Sequence, residues 1–292
     1  METQVLHRMS AAIEIDFGNV ESWSGKDKGD ENFPVGSWLI HKSLRWHIHA
    51  FYQFARIADD IADHASMPGP EKLRRLEVMR AVLCGEQTQG SPSASGLRAS
   101  LAENGVNPAH ALELLHAFRQ DAVKNRYASW DELLDYCRYS AMPVGRFVLD
   151  LHGESTASVY PPSDALCAVL QILNHLQDGA KDLAAMDRCY LPADLLMAYG
   201  GKIEDLRGTA ETAGLRSVKL ALLVKCDELM KQARQLPHTV KDRSLRLETA
   251  IIISLAEKLL ARLRNGDPVA ARVKLKSADA VFAALGSMRF LP

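Results

Sequence analysis

Ala165-Leu166-Cys167-Ala168-Val169-Leu170-Gln171-Ile172-Leu173-Asn174-His175-Leu176-Gln177-Asp178-Gly179-Ala180-Lys181-Asp182 decides the fold. From Ala165 to Leu176 the polar side chains are Gln171, Asn174 and His175. A helix that is apolar on nearly every side is a buried helix. Residues three or four apart share one helical face, so Gln171, Asn174, Asp178 and Asp182 form a single polar stripe on that buried rod. A second stretch, Phe51 to Asp63, repeats the design. Tyr52, Arg56, Asp59 and Asp63 make a stripe amid Phe51, Phe54, Ala55, Ile57, Ala58, Ile61 and Ala62.

Carboxylates on apolar helices need partners, because desolvating an unpaired charge is expensive. One Asp-x-x-x-Asp pair alone is most simply a solvated face or a set of salt bridges to Lys and Arg. Two such pairs, with an amide one turn before the second, favour a hard divalent cation. Carboxylate and amide oxygens suit Mg2+, which fills its remaining positions with water and substrate phosphate. Facing acidic stripes with Arg56 beside them would clamp a diphosphate. A di-iron centre requires Glu-x-x-His on two helices; the chain offers that spacing at Glu113 to His116 alone. There is no His-Glu-x-x-His, no glycine-rich phosphate loop and no Gly-x-Ser-x-Gly. His41, His47 and His49 read as ordinary helix residues. The aromatics Phe51, Phe54, Phe118, Tyr127, Tyr136, Tyr139 and Phe147 read as core, and some of them as the wall of an apolar cavity whose ring faces would stabilise a cation.

A chain of 292 residues with a formal net charge of -1 is no basic nucleic-acid binder. Its five cysteines, Cys84, Cys137, Cys167, Cys189 and Cys226, form no Cys-x-x-Cys and fit a reducing, cytoplasmic setting. Glu14, Asp16 and Glu21 interrupt the N-terminal stretch, so no signal peptide is expected. No apolar run reaches the roughly 18–20 residues that cross a bilayer. Peripheral membrane contact, which an apolar product would favour, stays open, as do pathway partner enzymes.

Residues 1–33 are polar and irregular and read as an N-terminal arm or lid; 34–292 read as one all-helical domain. The helical period predicts helices near 35–48, 49–64, 70–84, 107–125, 129–140, 142–152, 163–185, 210–233, 240–264 and 268–285. Asn107-Pro108 and the capping box Ser129 to Glu132 are start signals. Breaks fall at Pro68-Gly69-Pro70, Gly90 to Gly96, Pro161-Pro162, Gly200-Gly201 and Gly266-Asp267-Pro268, with Gly90–Gly96 read as a disordered loop.

Phe51-Tyr52-x-Phe54-Ala55-Arg56-x-x-Asp59-Asp60-x-x-Asp63 resembles the first aspartate-rich motif of the squalene and phytoene synthase family. Leu170-Gln171-x-x-Asn174-x-x-x-Asp178-x-x-x-Asp182 resembles the second, and Arg188-Cys189-Tyr190-Leu191-Pro192 the family's Arg-x-Tyr-Leu-Pro. Between them, Phe118-x-x-Asp121, Arg126-Tyr127 and Glu132-Leu133-Leu134-x-Tyr136-Cys137 resemble the linking segment. The resemblance runs from about Asn32 to Pro192; beyond it the chain matches only in being helical.

The resemblance implies an all-α isoprenoid synthase bundle and an isoprenoid diphosphate substrate. It implies Mg2+ held by Asp59, Asp63, Asn174, Asp178 and Asp182. It implies diphosphate contacts from Tyr52, Arg56, Gln171, Arg188 and Tyr190, with Asn32 also on the substrate and Tyr136 near the reacting carbons. The chain departs from the wider family at Gln177, where most members carry Arg, and at Ala141-Met142-Pro143-Val144-Gly145. Those details, with Ser22-x-x-Gly25-Lys26-Asp27 and Glu31 to Ser37, resemble the bacterial hydroxysqualene synthases of hopanoid pathways. That branch, carbon–oxygen lyases acting on a diphosphate, ionises presqualene diphosphate and adds water. The alternative is head-to-head condensation of prenyl diphosphates, giving presqualene diphosphate, squalene or phytoene.

Overall fold

The computed structural model describes residues 19–21, 40–154 and 156–290. Asn32, most of the N-terminal arm and the Glu31 to Ser37 segment lie outside the described residues. The described chain is all α, with no strand. Its helices are α1 (Lys42–Ala62), α2 (Gly69–Cys84), α3 (Pro92–Asn104), α4 (Ala109–Asp121), α5 (Trp130–Ser140) and α6 (Met142–Leu151). There follow α7 (Tyr160–Met186), α8 (Ala193–Tyr199), α9 (Ala213–Ala233), α10 (Leu236–Thr239), α11 (Arg243–Asn265) and α12 (Ser277–Ser287).

Local chemistry sets the boundaries. Ser91, Ser129, Thr212 and Asp242 each accept a hydrogen bond from the backbone N–H three residues on, which satisfies an orphan donor of the first turn. In the Ser129 box, the Glu132 carboxylate accepts from the Ala128 N–H rather than from that of Ser129. Asn107 accepts from the Ala109 N–H at 2.8 Å, so α4 begins one residue after Pro108.

Three expectations need correction. The helices expected at 35–48 and 49–64 are, over the described residues, one helix from Lys42, since no Gly or Pro interrupts it. Gly90–Gly96 is not a disordered loop: Ser91 caps α3 and Pro92 occupies its first turn, where a missing N–H costs nothing. The helix expected at 268–285 starts only at Ser277, and residues 266–276 run as a non-helical strap. There the Asp267 carboxylate accepts from the N–H groups of Glu211, Val269 and Ala270, forming a single turn that no helix continues. The short helix α8 had no counterpart in the periodicity.

Two apolar clusters form the interior. One gathers α1 to α4 with Phe147 and Leu151 of α6. The other gathers α5, α7, α8, α9 and α11. α7 is central to the second, packing on α5, α6, α9 and α11. Phe51 of α1 stacks on Phe147 of α6 at 3.9 Å between ring centres, joining the helix of the first motif to the α6–α7 side.

Candidate active site

α1 carries the first stripe toward its C-terminal end. Arg56 is the organising cation there: Nη2 donates to Asp60 Oδ1 at 2.9 Å, and Nη1 lies 3.3 Å from Asp59 Oδ2. Asp60 is buried and holds the guanidinium in place, while Asp59 is half-buried. One turn on, Asp63 caps the helix and receives Nη1 of Arg188 at 2.7 Å. Lys72 donates to the Ala62 carbonyl at 2.7 Å, neutralising the same helix end. Burial, and then the nearby Arg188, lower the Lys72 ammonium's pKa.

Arg188 reaches Asp63 because of how α7 ends. Asp187 takes a left-handed conformation, φ 53°, uncommon for a residue with a side chain. Arg126 grips it through its carbonyl and through Oδ1, and Cys189 N–H donates to the Asn125 carbonyl at 2.9 Å. The chain thus doubles back and sends Arg188 inward. Behind Arg188 lies a buried polar knot. Asp121 accepts from the Tyr136 hydroxyl at 2.7 Å and from Tyr190 at 3.3 Å, and its carbonyl accepts from Arg188 at 3.0 Å. Burial pushes the Asp121 carboxyl up to about 6, with Arg188 opposing. Burial alone would weaken the Arg188 charge, but Tyr190, Asp121 and Asp63 around it outweigh that and raise its pKa. His175 stacks on Tyr190 with ring centres 3.5 Å apart. Burial, helped by Arg188, depresses His175 to about 3, so the ring is neutral at ordinary pH.

α7 carries the second stripe. The guanidinium of Arg272, from the strap, meets Asp178 at both carboxylate oxygens: Nε at 2.7 Å and Nη2 at 2.8 Å. The strap is pinned beside it, where the buried Gln177 amide donates to the Val273 carbonyl. At its root, the buried Lys219 donates to the Gly266 carbonyl and pairs with Glu211 at 2.7 Å. One turn past Asp178, no salt bridge reaches Asp182 among the described residues. Its carboxyl is pushed up to about 7 by burial first, then by the charges of Asp178 and Asp63. Arg188, just past the end of α7, pairs with Asp63 at the end of α1, and both line one cleft, which brings the ends of the two stripes together.

Among the described residues no three acidic, imidazole or thiol side chains converge into a closed metal cage. The stripe carboxylates are instead spread along α1 and α7, where Arg56, Arg188 and Arg272 hold Asp59, Asp63 and Asp178. The donor set fits Mg2+, which shares an open site with water and phosphate rather than needing an all-protein cage. Burial and the neighbouring carboxylates disfavour the negative charge on Asp182. A polar cleft of about 430 Å³, lined by Asp63, Lys72, Asp121, Arg188 and Arg207 among others, opens beside it.

The same two helices then wall an apolar cavity of about 290 Å³. Phe51, Tyr52 and Ala55 of α1 line it, as do Ser163, Leu166, Cys167 and Leu170 of α7. The α1 stripe continues from Tyr52 to Arg56, Asp59 and Asp63. The α7 stripe continues from Leu170 to Asn174, Asp178 and Asp182. At 1.5 Å per residue, Tyr52 and Asp63 are about 16 Å apart along the helix axis. The site is therefore charged at one end and apolar at the other.

Of the expected site residues, Asp63 and Arg188 line the polar cleft and Tyr52 lines the apolar cavity, whereas Arg56, Asp59, Asn174, Asp178 and Asp182 lie on the two helical stripes and line neither. Gln171 is half-buried on α7, one turn before Asn174. Tyr136 and Tyr190 belong to the knot behind Arg188, and neither lines the apolar cavity. The sequence reading did not single out Asp60 as the anchor of Arg56, or Asp121 as the hub of the knot, although both stood in recognised motifs. Arg272 left no local signal at all.

A family model described as squalene/phytoene synthase matches residues 26–279. A hydroxysqualene synthase from Rhodopseudomonas palustris is 49% identical over 266 residues, covering 91% of this chain and 90% of that protein. One from Zymomonas mobilis subsp. mobilis is 45% identical, covering 88% and 86%. Among solved structures, the squalene synthase HpnC from Alicyclobacillus acidocaldarius is 32% identical with a TM-score of 0.70, covering 79% of this chain and 87% of that one. A dehydrosqualene synthase in complex with ligand superposes with a TM-score of 0.77 over 90% of this chain and 93% of that one; at 20% identity it speaks for the fold alone.

Proposed function

The chain belongs to the squalene/phytoene synthase family, and from that premise we infer that it is a hydroxysqualene synthase. It converts presqualene diphosphate and water to hydroxysqualene and diphosphate, a reaction that fits the resemblance to its nearly half-identical relatives. The observation that carries the reading is the continuity of α1 and α7 from cleft to cavity. A diphosphate at the carboxylate end places its hydrocarbon in the apolar end, with the scissile C–O bond between them.

Asp59, Asp63, Asn174, Asp178 and Asp182 are the residues that would hold Mg2+, which supplies positive charge to the leaving diphosphate. Arg56, Arg188 and Arg272 face the same group. Each guanidinium is already ordered by a carboxylate, so little reorganisation accompanies the binding of phosphate oxygens. Asp121, Tyr136 and Tyr190 hold Arg188 from behind. Departure of diphosphate leaves a cyclopropylcarbinyl cation in the cavity. The walls exclude bulk water, and the stacked Phe51–Phe147 pair offers aromatic surface to the positive charge. Water then captures the rearranged cation.

The test is incubation of the purified protein with presqualene diphosphate and Mg2+ in oxygen-18 water, with and without a reduced nicotinamide. Hydroxysqualene carrying the heavy oxygen, formed at the same rate either way, is expected. Squalene appearing only with reductant, or consumption of farnesyl diphosphate in place of presqualene diphosphate, would move the protein to the condensing and reducing enzymes of the family.

A further inference from the structure

Surface helices of a folded chain turn their large apolar side chains inward. α12 does the reverse. Its buried positions are Asp279, Ala283 and Ser287, small or polar side chains spaced four apart on one face. Asp279 is held there by Arg262 of α11, whose Nη2 lies 2.7 Å from Oδ2. On the opposite side Val281 is 59% exposed, Phe282 63% and Leu285 59%, and Met288 in the turn that follows is 55% exposed. Large apolar side chains exposed together mark an interaction surface.

The charges around that face decide what it meets. From Lys274 to Phe290 the chain carries Lys274, Lys276 and Arg289 against a single carboxylate, the buried Asp279. Lys274, Lys276 and Arg289 are exposed, and Lys258 of α11 stands 5.7 Å from the Phe282 ring centre. This local excess of positive charge sits in a chain whose formal net charge is -1. An apolar helix face rimmed by lysine and arginine fits the boundary between acyl chains and anionic headgroups. A two-fold contact with a second copy would instead press two basic rims together. The helix is about 16 Å long at 1.5 Å per residue, against roughly 30 Å of hydrocarbon, so it lies on a bilayer and does not cross it.

We propose that α12 docks the protein on an anionic phospholipid bilayer. Val281, Phe282, Leu285 and Met288 enter among the acyl chains, and Lys274, Lys276 and Arg289 meet the headgroups. α12 packs on α11, and α11 supplies Leu245 and Ile252 to the wall of the apolar cavity. The docked face is therefore one helix away from that cavity. Docking needs no catalysis and stands apart from the hydroxysqualene synthase reading. Joined to that reading, it keeps the cavity close to a bilayer that takes up an apolar alcohol.

The experiment sediments the full-length protein with vesicles of phosphatidylcholine alone and with vesicles of phosphatidylcholine mixed with phosphatidylglycerol. Wild type is compared with Leu285→Asp and with the double variant Lys274→Glu/Arg289→Glu. Wild type is expected on the mixed vesicles, and both variants should bind them at least about tenfold more weakly. Salt at about 1 M, where the screening length falls to roughly 3 Å, should weaken wild-type binding in the same direction. Circular dichroism should be unchanged in both variants, because the substituted side chains are exposed. Should Leu285→Asp lose its helical signal, Phe282→Ser decides by the same measurement. Wild type left in the supernatant with both vesicles, or Leu285→Asp sedimenting as wild type does, would overturn the proposal. So would equal binding to the neutral vesicles. Light scattering that shows a wild-type dimer, made monomeric by Leu285→Asp and indifferent to vesicles, would assign the face to a second copy instead. Cross-links from α12 to residues 1–18, with no vesicle binding, would assign it to the N-terminal arm. Vesicle binding by a protein that forms no hydroxysqualene would leave docking in place and sink the functional reading only.

Discussion

At Asp178 one carboxylate is shared between a strap arginine and the proposed metal site. Replacing it with Asn keeps the shape and removes the charge that both require. Asp178→Asn is expected to leave the helical circular dichroism unchanged and to lower diphosphate release by roughly 10²- to 10³-fold, the scale of losing one electrostatic contact to a transition state. Activity within a few-fold of wild type would remove Asp178 from the machinery. The cysteines give a second test at this scale. Cys84 is exposed, whereas Cys137, Cys189 and Cys226 are buried. Burial pushes the Cys167 and Cys226 thiols up to about 12, and those of Cys137 and Cys189 upward as well. Thiolate is the reactive form. Iodoacetamide at neutral pH should therefore label Cys84 first and alone on the native protein, read by peptide mass spectrometry. Comparable labelling at Cys167 would show its thiol ionised and accessible.

Among the elements, the strap of residues 266–276 changes the meaning of Gln177. From sequence, Gln177 reads as the loss of a positive charge beside the second motif. In the structure that position is buried and tethers Val273, and Arg272 next to it brings a guanidinium to Asp178. Gln177→Arg would break the tether and place a buried guanidinium beside the exposed one of Arg272. Turnover of presqualene diphosphate should fall by about 10²-fold, since roughly 1 Å of misplacement suffices for that loss. Arg272→Ala should weaken the dependence of rate on diphosphate contact in the same direction, raising KM. An unchanged rate in Gln177→Arg would mean the strap is a passive cover. The stripes of α1 and α7 were legible because their information is local: a spacing of four, on helices with no other polar face. Arg272 was not, because its partner lies 94 positions earlier and nothing near it in sequence announces the contact. α3 was hidden for the opposite reason. Ser91 and Pro92 are a helix start, but the surrounding Gly and Ser residues have the composition of a loop. The Asp187 turn that aims Arg188 was equally silent, since a left-handed aspartate depends on Arg126, far away in the chain.

For the whole molecule, the two stripes predict how ligands couple to stability. Asp182 is held unfavourably by burial and by its acidic neighbours. Mg2+ with inorganic diphosphate should relieve that repulsion and raise Tm more than either component alone. Binding at one hundred times Kd stabilises by about 2.7 kcal/mol. A Tm that ignores the pair, or an equal shift in the Asp178→Asn variant, would argue against a metal–diphosphate cleft. The cavity has a different consequence. It lies where the two apolar clusters meet, lined by Phe51 and Phe147 from one and Leu149 and Leu166 from the other. A hydrocarbon seated there completes the interior as a side chain would. Its alcohol product has lost the charged handle that made the substrate soluble, and each methylene returned to water costs about 0.8 kcal/mol. The protein is thus a better solvent for its product than its surroundings are. The slow step of the cycle should be the product's escape, visible as a burst of diphosphate followed by a slower steady rate. Detergent micelles, by offering the oil somewhere else to dissolve, should quicken the steady rate and leave the burst alone.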